Sequence, residues 1–203
     1  MIGIINYGVG NLKSVKNSLD YLNIPNRIIS KPSEIDRCDK IILPGVGAFA
    51  PAMEKLNGLK FSEKIKVYAN KKPVLGICLG MQLLFNEGHE HGIHQGLGLI
   101  PGKVLPFSEK VKKLPLPHMG WNNINIENIS PLLKNIDDDS SFYFVHSYYC
   151  QPTDNSVTLA STDYGIKFSS VVGQKNIFGC QFHPEKSQSV GIKMLVNFQN
   201  LKF

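Results

Sequence analysis

The sequence has no apolar run near the roughly 20 residues that a bilayer-crossing helix needs; the longest are a few residues, such as Ile41-Ile42-Leu43. Its 4 cysteines, Cys38, Cys78, Cys150 and Cys180, form no C-x-x-C pair, so neither a zinc site nor a redox couple is indicated. Internal repeats, low-complexity tracts and linkers are missing. Blocks of like charge are missing too. The net charge is +6, yet the lysines are scattered, and the tightest group (Lys110, Lys112, Lys113) has no interleaved aromatics for stacking bases. No nucleic-acid partner and no membrane association are expected. The first residues, Met1-Ile2-Gly3-Ile4-Ile5-Asn6, carry no basic segment and no small-residue cleavage site, and read as a buried strand. The expectation is a cytoplasmic protein with reduced thiols.

What is present suffices for a core: 42% of residues are apolar and 19% charged, which argues against a disordered chain. The length fits one domain spanning 1–203. Ile2 to Ile5, Ile28-Ile29, Ile41 to Leu43 and Val74 to Ile77 read as buried strands. Helical spacing follows at Leu12, Val15, Leu19 and Leu22, then over about 48–56, 61–70 and 79–85. From about Gly96 to Asp139, Pro101, Pro106, Pro115 and Pro117 break the pattern into loops and small antiparallel strands. Strands are expected again at 142–145, 157–160, 168–172 and 177–182. A last helix over 190–199 should turn Ile192, Leu195 and Val196 inward. The fold class is therefore α/β: a doubly wound, mostly parallel sheet with helices on both faces and an added small antiparallel sheet.

The strongest chemical signal is Gly76-Ile77-Cys78-Leu79-Gly80, which ends a strand and opens a helix. A sharp strand-to-helix turn pushes the middle side chain out of the sheet, and the two glycines remove side chains that would collide across it. The sulfur then sits at a helix N-terminus, which favours thiolate. The Leu79 N–H is an unpaired helix donor suited to an oxyanion. His183-Pro184-Glu185 supplies a base and its orienter: Pro184 keeps His183 out of the helical region, and in an extended segment Glu185 points the same way as His183. The catalytic set is Cys78, His183 and Glu185. Cys180 has the opposite strand parity and is assigned to the core, with Cys38 and Cys150. Leu43-Pro44-Gly45-Val46-Gly47-Ala48 also ends a strand, and its Val46–Gly47 turn is a candidate second oxyanion donor.

Two motifs carry less. His89-Glu90-His91-Gly92-Ile93-His94 is not H-E-x-x-H, since its outer histidines are five apart, and no metal is expected. Gly8-Val9-Gly10 lacks the third glycine of a dinucleotide fingerprint, because position 13 is lysine, and the second strand ends at Ser30 rather than an acid. No cofactor is expected.

Gly76-Ile77-Cys78-Leu79-Gly80 with the distant His183-Pro184-Glu185 resembles the class I (triad) glutamine amidotransferases. Further blocks narrow the resemblance: Tyr7 to Val15, Leu43 to Phe49, Met81-Gln82, Gly96 to Gly102, Pro117-His118-Met119-Gly120-Trp121-Asn122, Phe144 to Tyr149 and His183 to Ser187. They are similar to the glutaminase subunits of imidazole glycerol phosphate synthase. The resemblance implies hydrolysis of L-glutamine to glutamate and ammonia, and a heterodimer with a HisF-type cyclase subunit. It implies that Gly47, Gln82, Ser147 and Tyr148 hold glutamine, and that Asn11, Met119, Trp121 and Lys186 lie at the partner surface. For Trp121 the alternative is an ordinary core anchor. Asn6 and Gln188 depart from the residues usual in that group, which leaves as the alternative function a paralogue supplying another synthase, such as a surface-sugar amidating enzyme. A nucleotide-dependent oxidoreductase, a non-catalytic subunit and a thiol peptidase or esterase are the competing classes.

Overall fold

In the computed structural model, which describes residues 1–202, the apolar runs of the N-terminal half are buried on both faces because helices cover both sides of the strands they form. The strands β1 (Ile2–Ile5), β2 (Asn26–Ile29), β3 (Lys40–Gly45) and β4 (Val74–Cys78) alternate with helices α1 (Leu12–Tyr21), α2 (Phe49–Gly58) and α3 (Phe61–Ala69). Helix α4 (Leu79–Leu83) follows β4 directly. Then come β5 (Phe85–Gly88), β6 (His94–Gln95), β7 (Ile100–Pro106), β8 (His118–Asn123), β9 (Asn125–Ile126), β10 (Ser141–His146) and β11 (Tyr148–Pro152). The chain ends with β12 (Thr158–Asp163), β13 (Lys167–Gln174), β14 (Ile177–Cys180) and helix α5 (Gln188–Asn200).

The parallel part of the sheet runs β2-β1-β3-β4-β14. Strand parity divides its side chains between two cores. Ile2, Ile4, Ile42, Leu75 and Ile77 meet Val15 and Leu19 of α1 and Met194, Leu195 and Phe198 of α5. Ile5, Ile41, Leu43 and Val74 meet Phe49, Leu56, Phe61 and Ile65 of α2 and α3.

The antiparallel addition is larger than the sequence suggests and is fused to the same sheet. β14 pairs parallel with β4 on one edge and antiparallel with β13 on the other, and β11, β7, β5 and β6 extend the sheet from there. The separate small antiparallel sheet is β8 with β10.

Three boundaries differ from the sequence reading. The helix over 79–85 stops at Leu83, because Phe85 enters β5 and pairs with Ile100 of β7; an apolar run of that length suits either state until a partner strand arrives. The strand over 177–182 stops at Cys180, and the His183 N–H leaves the sheet to donate to the Tyr143 carbonyl. Helix α5 buries Gly191, Met194, Leu195 and Phe198, whereas Ile192 and Val196 are only half-buried. The inward stripe passes through Gly191 because a side chain there would overlap the Pro184 carbonyl.

Candidate active site

In a parallel sheet the C-terminal strand ends open on one crevice. Here those ends are adjacent: Gly45 of β3 lies opposite Cys78 of β4, and Ile77 opposite Cys180 of β14, three residues before His183. Cys78 occupies φ 54°, ψ −115°, a strained conformation for a side-chain-bearing residue, of the kind that costs about 1–3 kcal/mol and persists where surrounding packing imposes it. That packing is the glycine pair. A Cβ on Gly76 would meet the Gly80 carbonyl oxygen at 2.5 Å, and one on Gly80 would overlap the Leu43 carbonyl oxygen. Around the sulfur, the thiol lies 3.8 Å from the Val145 carbonyl oxygen, and Gln181 Nε2 donates towards Sγ at 3.8 Å.

Glu185 reaches the imidazole by a route that differs from the extended one expected. Pro184 begins a single 3-10 turn over Pro184–Lys186, and within it Glu185 Oε1 lies 2.8 Å from His183 Nδ1. Proline opens such a turn at no hydrogen-bond cost, since its missing N–H is unpaired there anyway. Ser187 locks the turn: its hydroxyl donates to the His183 carbonyl at 2.6 Å and accepts from the Tyr143 N–H at 3.0 Å. The other ring nitrogen, Nε2, makes no ordinary hydrogen bond among the described residues, which leaves it for the Cys78 thiol across the cavity that both residues line. Burial opposes a charge on His183, but interaction with Cys78 and with the Glu185 carboxylate outweighs it and raises the imidazole to about 10. A proton that passes from the sulfur to this ring is therefore held there by the Glu185 carboxylate and by the charge left on Cys78.

The cavity over these groups has a volume of about 260 Å³. Val46, Gly47, Leu79, Gln82, Ser147 and Tyr148 all line it, together with Cys78, His183, Val145 and His146. Gly47 has φ +91°, which turns the chain between β3 and α2. Gln82 is held by its amide nitrogen, which donates to the Tyr148 carbonyl at 3.2 Å and to Gln181 Oε1 at 3.1 Å. A second cavity of about 350 Å³ lies by β9, β12 and β13; its one carboxylate, Glu127, is paired with Lys167, and neither cysteine nor histidine lines it.

Sequence reasoning missed three residues. Gln181 shares His183's parity, and that signal was available. Glu90 caps α2 by accepting from the Phe49 N–H at 2.6 Å, which no local pattern announces. Burial, and then the nearby Glu90 carboxylate, raise the Tyr148 phenol above its usual range. His146 lines the cavity and is hydrogen-bonded to buried His118.

Burial lowers His118 to about 4 and His146 to about 3, with the His118 charge a further cause for His146. Their folded-state values lie below the unfolded value near 6.5, so the unfolded chain takes up protons first. The stability they contribute is complete above about pH 6.5 and is lost as pH falls through 4 towards 3. In urea titrations, the stability of wild type relative to His118→Phe is expected to decline as pH falls from about 6.5 to 4. A constant difference over that range would contradict the assignment.

Cys38, Cys150 and Cys180 are buried, and burial raises all three thiols, in keeping with core roles. Met119 and Trp121 are 66% and 51% exposed on β8, so Trp121 is not a core anchor. Lys186 is exposed, with Nζ 5.7 Å from the centre of the Tyr143 ring. Asn11 is half-buried and caps α1, accepting from the Ser14 N–H. His89 bonds to Glu87, and among the described residues no group of three or more His, Cys, Asp or Glu could hold a metal ion. No described helix is long and apolar enough to cross a membrane.

Comparison with known proteins is consistent from end to end. Residues 4–200 match the family model described as glutamine amidotransferase class-I. The chain is 49% identical over 199 residues to the imidazole glycerol phosphate synthase subunit HisH of Desulfitobacterium hafniense, covering 98% of this chain and 93% of that one. It is 46% identical over 205 residues to the HisH subunit of Bacillus subtilis, covering 99% and 96%. Among solved structures, PurLQS from Thermotoga maritima superposes with a TM-score of 0.77 at 19% identity, covering 98% of this chain and 97% of that one, which speaks for the fold alone.

Proposed function

Because the chain belongs to the class I glutamine amidotransferase family, we propose that it is the glutaminase subunit of imidazole glycerol phosphate synthase, acting in histidine biosynthesis. The observation that carries this reading is identity of 46–49% to HisH subunits over nearly the whole of both chains. The site geometry supports the chemistry. His183 takes the thiol proton of Cys78, and the thiolate attacks the side-chain amide carbon of glutamine. The Leu79 N–H, with the Val46–Gly47 turn, stabilises the tetrahedral oxyanion. The C–N bond breaks as imidazolium His183 gives its proton to the leaving ammonia. Water then loses a proton to His183 and attacks the thioester; the C–S bond breaks, releasing glutamate and restoring Cys78. Glu185 holds the imidazole in orientation throughout.

The ammonia passes to a HisF-type cyclase subunit, which forms imidazole glycerol phosphate and an aminoimidazole carboxamide ribotide. Met119 and Trp121, exposed on one side of the β8–β10 sheet, Lys186, exposed beside the Tyr143 ring of β10, and Asn11 are assigned to that heterodimer surface. The cytoplasm is the compartment proposed for this biosynthetic step.

The test measures glutamate formed from glutamine by the purified chain, alone and with a HisF-type subunit and its ribotide ligand. Since one oxyanion donor is typically worth about 10²–10³ in rate, a small shift of the Val46–Gly47 turn is enough to gate turnover. Slow hydrolysis alone and strong acceleration in the complex are expected. Equal rates would overturn the gating, and no glutamate under either condition would overturn the function.

A further inference from the structure

β8 and β10 pair with His118 directly opposite His146, which brings two buried imidazoles together at the wall of the glutamine cavity. The hydrogen bonds fix both tautomers. His146 Nδ1 lies 2.8 Å from the Tyr148 carbonyl oxygen, which can only accept, so Nδ1 carries the hydrogen. In a neutral ring Nε2 must then accept, and it lies 2.9 Å from His118 Nδ1, which is therefore the donor. His118 Nε2 accepts in turn from Asn122 Nδ2 at 3.2 Å, and the same amide nitrogen donates to the Asp163 carbonyl at 2.9 Å. The chain of donors runs in one direction, from Asn122 through both rings to Tyr148. Neither ring is free to swing: His118 is stacked between Tyr164 and Phe144, with ring centres 4.0 and 4.8 Å away.

The endpoint gives the chain a purpose. The Tyr148 carbonyl accepts from His146 and also from Gln82 Nε2, so one oxygen positions both the Ser147–Tyr148 turn and the Gln82 amide. On the other side of His146, the Val145 carbonyl lies beside the Cys78 sulfur. We propose that His146 and His118 are positioning residues for glutamine: through the Tyr148 carbonyl they set the turn and the Gln82 side chain that receive the substrate, His118 acting only through His146. This rests on the glutaminase reading above.

Two variants of similar polarity separate positioning from space filling. In His118→Asn the amide nitrogen can stand near the place of Nδ1 and still donate to His146. In His118→Gln the amide lies one bond further out and misses it. Both are assayed in the complete heterodimer with glutamine. His118→Gln is expected to raise KM for glutamine about fivefold, the worth of one net hydrogen bond, with kcat little changed, and His118→Asn is expected to stay within about twofold of wild type. Alkylation of Cys78 by iodoacetamide, which needs no glutamine subsite, should proceed alike in all three. Equal KM values for the two variants, or a loss confined to kcat, would overturn the proposal. If His118→Gln does not fold, Asn122→Leu removes the outermost donor instead; it should raise KM about twofold, and an unchanged KM overturns the idea. A wild-type heterodimer that makes no glutamate would instead refute the glutaminase reading.

Discussion

Replacing Cys78 by alanine is expected to reduce glutamate formation from glutamine by about 10⁴-fold or more, the scale seen when a covalent nucleophile is removed. No other group in the cavity can take its place. Cys150 and Cys180 are completely buried, and burial holds both thiols well above their usual range. The Ser147 hydroxyl has no base of its own, since burial lowers neighbouring His146 and that ring is already committed to Tyr148 and His118. The same heterodimer supplied with free ammonia should still synthesise product at its normal rate, because Cys78→Ala removes a sulfur from the surface of a cavity and leaves the elbow's glycines intact. Measuring both reactions on one preparation separates loss of chemistry from loss of assembly. Substantial glutamine turnover by Cys78→Ala would end the triad account.

The second large effect concerns the elbow rather than the sulfur. Gly80→Ala is expected to destabilise the fold by more than about 4 kcal/mol, or to prevent soluble accumulation, because the new Cβ would overlap a backbone oxygen and not a movable side chain. That oxygen belongs to Leu43 in the centre of β3, which pairs on both sides and cannot retreat without disrupting β1 and β4. Gly58 supplies the control. A Cβ there meets nothing within 4 Å, and the residue ends α2, so Gly58→Ala should be neutral or stabilising by roughly 0.4–1 kcal/mol. Urea midpoints of the two variants test the pair. Equal effects would mean that the close approach of α4 to β3 does not hold the elbow in place.

How legible this protein is in its sequence depends on how far apart the cooperating atoms lie. Cys78 was readable because an elbow is a problem of local sterics, and its solution stands in the flanking Gly76 and Gly80. His183 and Glu185 were readable as a pair for the same reason, although the turn joining them is 3-10 and not extended. The alternation of the first strands between two faces follows from side-chain period alone, and it places Ile4 and Ile5 in different cores. The apolar run ending at Phe85 was misread in its last residues, because only the arrival of β7 from fifteen residues later makes a strand of it.

The residues themselves determined the doubly wound α/β core and the family, and they singled out the nucleophile and base proposed above. Tertiary structure alone decided which atoms face one another across long stretches of chain. It fused the antiparallel strands to the main sheet, exposed Trp121, brought Glu90 to the start of α2, and set His118 against His146. Those outcomes depend on desolvation and on pairing between strands distant in sequence. Both are properties of the assembled interior, where the free energy of a charge or a hydrogen bond depends on neighbours that no local window contains.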